Sequence, residues 1–160
     1  MLRRLLTTLV PLIRTSKYSD VELPFGREVA ELKIATAASI GSPNLEAKQQ
    51  PMWEDLTRLA SVRPRTAILQ AWQQVEATLT RVARNRHVEA APAVWQMSMV
   101  LGAVMLNQEK ISAPQYELLS KLRQLVNEAT HAPVDTINPD DAVQFVGLAL
   151  RMASSLDSES

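Results

Sequence analysis

The sequence predicts an all-α protein: a helical bundle of four to five helices preceded by an N-terminal amphipathic helix and an extended arm. Three observations carry this reading. Leu, Ala, Val and Gln abound in a chain with four glycines and 4% aromatic residues, a composition that favours helix over sheet. Apolar residues recur at three- and four-residue spacing through three long stretches. Only residues 18–25 alternate as a strand does, and a lone strand has no ladder partner in the chain.

At 160 residues the chain reads as one helical domain with an N-terminal extension, long enough for a substantial core. The formal net charge is zero, so no whole-protein field draws in nucleic acid. Without cysteine there is no disulfide and no thiolate chemistry, which suits the cytoplasm. Two histidines give little basis for a zinc site, and neither a metal nor a cofactor is expected. No apolar run approaches the roughly 18–20 residues that span a bilayer.

Residues 1–39 read as amphipathic helix, arm and short helix. Leu2, Leu5, Leu6, Leu9, Leu12 and Ile13 form one apolar face, flanked by Arg3, Arg4, Arg14 and Lys17 with no acid among them. Pro11 ends or breaks this helix. Two readings stay open for 1–17. It lies on an anionic membrane surface, placing the protein at the inner face of the membrane, or it docks on its own domain or a second copy. In the arm, Val21, Leu23 and Phe25 point one way and Asp20, Glu22 and Pro24 the other. Such an arm stays extended or pairs with another subunit, and little of residues 1–51 is expected to pack on the main domain of its own chain. Gly26 leads into a helix from Arg27 to about Ser39.

Residues 40–51 cluster Gly41, Ser42, Pro43 and Asn44 and read as a linker; the helical domain follows over 52–156. A short helix is expected at Trp53–Ala60. Pro64 opens a long one to Arg86, striped by Ile68, Trp72, Val75, Leu79 and Val82. Its end carries Arg81, Arg84, Arg86 and His87, which the helix dipole alone accounts for. A fourth helix, Pro92–Leu106, carries Val94, Met97, Val100, Leu101, Val104 and Met105. Trp95, Met97, Met99 and Met105 read first as core, with a soft partner-binding surface as the alternative. Ser112 caps a helix over 113–130 striped by Leu118, Leu122, Leu125 and Ala129, stopped by Ala132-Pro133. Asn138 caps the last, 139–156, with Asp140 and Asp141 at its positive end. A polar tail, 157–160, closes the chain.

The run L-R-x-L-x-N-x-x-x-H at Leu122–His131, a short loop, and a helix opening D-D-A at Asp140–Ala142 resemble the C-terminal helix pair of a HEPN domain. That resemblance implies a HEPN-like helical bundle, a homodimer, and either a metal-independent endoribonuclease or an inactive relative, often in bacterial or phage defence. The family's signature is an Arg, a polar residue and a His four to six residues after the Arg. Asn127 and His131 match the last two, but Val126 stands where the arginine belongs. V-E-L-P-F-G-R-E at 21–28 and P-R-x-A-I-x-x-A-W-x-x-V-E at 64–76 also resemble a bacterial helical family of unknown function. Many of its members carry an N-terminal membrane helix, and this chain begins where that helix would end.

Two functions follow. The first is a non-catalytic dimerisation or protein-interaction module, cytoplasmic, bound to a second copy or another protein partner. The alternative is a ribonuclease whose His131 takes the 2′-hydroxyl proton while Arg123, one turn before Asn127, replaces the missing cation; RNA is a partner only under that reading. Val126, on the edge of the apolar stripe, is expected to be buried or at a subunit contact, and His131 to be exposed.

Overall fold

The structure is a computed structural model describing residues 25–36, 47–133 and 135–158. It is all-α: among the described residues there are six α-helices and no strand. These are α1 (25–36), α2 (Gln50–Val62), α3 (Pro64–Asn85), α4 (Ser98–Asn107), α5 (Ala113–His131) and α6 (Pro139–Ser158), with 3₁₀ turns at Ala47–Gln49 and Pro92–Gln96.

The last helix is the one the others surround. Alongside the expected stripe, α6 buries Leu148 and Leu150 at 1% exposure each, and these lie off the Phe145–Ala149–Met152 face. Its most extensive contact is with α3, then with α2, while α5 supplies a third wall. Trp53 of α2 lies over Gly147, where an added Cβ would stand 3.5 Å from the indole. The chain's own helices already cover α6.

Polar side chains fix the helix ends. Ser112 and Gln115 form a capping box at the start of α5, and the Gln115 amide also donates to the Ser155 carbonyl and Oγ at 3.2 and 2.8 Å. Asn138 Oδ1 accepts from Asp140 N at 2.9 Å, the expected cap of α6. The basic end of α3 is structural throughout. Arg81 forks onto Asp157 at 2.7 and 3.0 Å. Arg84 lies 5.8 Å over the Trp95 ring. Arg86 donates to the carbonyls of Lys110 and Leu156 at 2.5 and 2.7 Å.

Four expectations are corrected. Phe25 does not end an extended arm. It is the first residue of α1, 7% exposed, with its ring 6.5 Å from that of Phe145, because an aromatic beside Val29 and Leu32 completes a helix face. Residues 47–51, expected in a linker, are helical, and the Gln49 amide donates to Leu150 O at 3.1 Å. Asp157 and Ser158, expected in a tail, continue α6, held by the Arg81 fork. The fourth helix is two pieces, broken at Met97, whose backbone is extended (φ −122°, ψ 93°). Trp95 draws the first piece aside, its Nε1 donating to Ala90 O at 3.4 Å and its ring beneath Arg84. Residues 1–17, Val21 and Leu23 lie outside the described residues.

Candidate functional site

The sequence places Arg123, Asn127 and His131 four residues apart, so α5 carries them on one face. That face borders an open groove of about 710 Å³ between α3, α5 and the Met97 break before α4. From α3 come Leu69, Trp72, Gln73 and Glu76; from the break and α4, Gln96 to Val100; from α5, Val126 and Thr130 besides the three. The floor is apolar and closed: Trp72 is 4% exposed and Val126 3%. The α4 rim is apolar and open, with Met97 at 55% and Val100 at 37%.

The break at Met97 makes this rim. A continuous helix over 92–106 would have carried Met97 and Leu101 on one face, one turn apart. With the chain extended at Met97, Leu101 and Met105 go to the core while Met97 stays outside. Gly102 lets α4 lie close on α5; a Cβ there would come within 2.7 Å of Leu119 Cδ2. The helix is apolar on both faces, and among the described residues only one has a partner.

The α5 rim holds the ribonuclease-like residues in an arrangement unlike the signature's. Val126 is buried as expected, so no cation occupies the arginine position. His131 is exposed and is the last residue of α5. The next residue's carbonyl, that of Ala132, accepts from the Arg65 guanidinium, which ties this end of α5 to the start of α3. Arg123 leans towards His131 but stops after one turn, where its Nη1 donates to Asn127 Oδ1 at 2.8 Å. Eight residues along a helix are about 12 Å of axial rise, so Arg123 and His131 attach two turns apart. Both line the groove; the bond to Asn127 holds the guanidinium one turn short of the ring.

No family model, curated protein or solved structure matches this chain. Its function rests on its own residues.

Among the described residues, no group of three or more His, Asp or Glu side chains is placed to hold a metal ion. No described helix is long and apolar enough to cross a membrane. The exposure of Met97 and Val100 departs from the reading of this helix as core. Its signal lies in the sequence: residues 98–106 are apolar nearly all round, and among the described residues only one of the two faces is covered.

Proposed function

We propose that this protein is a non-catalytic helical module that pairs with a second copy of itself through the groove between α3, α4 and α5. The observation that carries this reading is the exposed Met97–Val100 ridge beside a groove with an apolar floor. A ridge and a groove side by side on one surface are what a twofold interface needs, since each copy offers its ridge to the other's groove. The charges fit the same arrangement. Glu76 lines the groove from α3 and Arg123 from α5, so a twofold axis between them brings each Glu76 to the other copy's Arg123. With zero net charge, two copies meet without overall repulsion. The HEPN-like resemblance adds a homodimer and a defence setting to the same proposal, and residues 1–17 would add a contact with lipid or with the partner copy.

The test is mass in solution by light scattering over a concentration series. The native chain is expected as a dimer and the Met97→Lys, Val100→Lys double variant as a monomer. Glu76→Arg and Arg123→Glu alone should each weaken the dimer, and together restore it. A native chain that stays monomeric at high concentration overturns the proposal. One observation favours the ribonuclease reading: Arg123, Asn127 and His131 border a single groove. RNA cleavage by the native chain, lost in both Arg123→Ala and His131→Ala, would put that reading first.

A further inference from the structure

Met97 alone separates two helical pieces. The 3₁₀ turn Pro92–Gln96 ends just before it, and α4 begins at Ser98 just after it. From Ala93 to Leu101 the chain has no proline or glycine, and Pro92 would sit in the first turn of a longer helix, where its missing N–H costs nothing. The break leaves bonds unmade. No side chain caps α4, and among the described residues the N–H groups of Ser98, Met99 and Val100 have no protein acceptor. Turning Met97 from its extended backbone (φ −122°, ψ 93°) into the α region would hand them the carbonyls of Val94, Trp95 and Gln96. There is room for the turn. Gln96 and Ser98 line cavities on both sides of the break, one of about 710 Å³ towards α5 and one of about 620 Å³ towards the end of α3. No residue of the 3₁₀ turn is buried, and residues 88–91, outside any helix, supply slack.

We propose that Met97 is a one-residue hinge latched open by Arg84 and Trp95, and that releasing the latch joins residues 92–107 into a single helix. The latch is a contact from α3. The Arg84 guanidinium lies 5.8 Å over the Trp95 ring, and Trp95 Nε1 donates to Ala90 O at 3.4 Å. Together they hold the 3₁₀ turn off the axis of α4. A 3₁₀ stretch interrupting a helix is where such hinges occur. The latch is light, because Arg84 is exposed and Trp95 only half-buried, and a cation over a ring in that setting contributes little. The joined helix in turn gains backbone hydrogen bonds that the broken one lacks. Small changes at the latch therefore shift the balance of the two forms. In the joined helix Met97 falls one turn before the buried Leu101, on the same face, and turns in from the rim. The latched form is thus the one that offers the Met97–Val100 ridge, a consequence that rests on the pairing proposed above.

Trp95→Ala tests this, because a loosened loop and a joined helix move two measurements in opposite directions. The first is amide exchange at Ser98, Met99 and Val100, resolved by nuclear magnetic resonance. The second is the rate at which hydrogen peroxide converts the Met97 thioether to its sulfoxide, with water as the other product, followed by peptide mass. In Trp95→Ala these amides should gain about threefold protection or more, and Met97 should oxidise about threefold more slowly than in the native chain. Arg84→Ala, at an exposed residue, should shift both the same way, and it carries the test if Trp95→Ala does not fold. Trp95→Phe still offers Arg84 a ring and should match the native chain. Protection of the α3 amides shows that each variant is folded. Equal or lower protection at 98–100 in the folded alanine variants, or faster oxidation of Met97, overturns the proposal. All chains are read at a dilution where light scattering gives monomers, so failure of the pairing through this groove would leave these measurements unchanged.

Discussion

Val126 is where the chemistry of this chain turns away from the ribonuclease signature. It has 3% exposure on the groove floor, so an arginine introduced there would lose packing and much of its charge's hydration. Val126→Arg should lower stability by about 2–5 kcal/mol, read as a shift of the denaturant midpoint at unchanged m-value. Unchanged stability would mean that the guanidinium escapes into the groove, and RNA cleavage by that variant would then show the scaffold sufficient for catalysis. The sequence made Val126 and His131 legible because helical spacing fixes which side of α5 a residue takes, and the proline stop fixes where α5 ends. It left Arg123 ambiguous. A long side chain can lean either way, and only the bond to Asn127 shows where this one goes.

At the scale of the element, helix ends show where the chain accepts a poor local conformation. Both α3 and α4 end with a non-glycine residue in the left-handed region, His87 at φ 54° and Glu109 at φ 58°. In each case the following N–H reaches back over the turn, Val88 N to Ala83 O at 2.9 Å and Lys110 N to Met105 O at 2.8 Å. Glycine favours this position, so Glu109→Gly should raise stability by about 0.5–1 kcal/mol, seen as a higher midpoint in thermal or denaturant unfolding. A loss would mean that Glu109 contributes a contact worth more than its strained backbone. The expected spans of α3, α5 and α6 lie within two residues of the observed ones, because each pairs a long stripe with a cap or a proline. Elements without that pairing were misread. The alternation at 18–25 hid the start of α1, since Phe25 belongs to the face of Val29 and Leu32. No proline or glycine marks Met97 as a break; the Trp95 ring is held under Arg84 of α3, a tertiary contact that the sequence alone does not contain.

For the molecule as a whole, two carboxyl groups displaced in opposite directions shape the response to pH. Hydrogen bonds from Arg81 hold the Asp157 carboxyl below its usual range, so the stability it lends is present above about pH 4 and fades as pH falls through the folded value. Glu128 lies on the other side: burial raises its carboxyl to about 7, so its contribution is full below its ordinary value and fades as pH rises towards 7. The thermal midpoint should therefore peak at mildly acid pH, with Asp157→Asn flattening the acid side and Glu128→Gln the neutral side. A midpoint that rises steadily from pH 5 to 8 would contradict this. The central place of α6 also has a consequence for the order in which the protein is made. Helices α1 to α5 leave the ribosome before the helix that covers their apolar faces. At about 5–20 residues per second of translation, α3 spends on the order of several seconds with its α6-facing side bare. During that interval the nascent chain is a client for chaperones, and a pause late in translation exposes it longer than a pause early on.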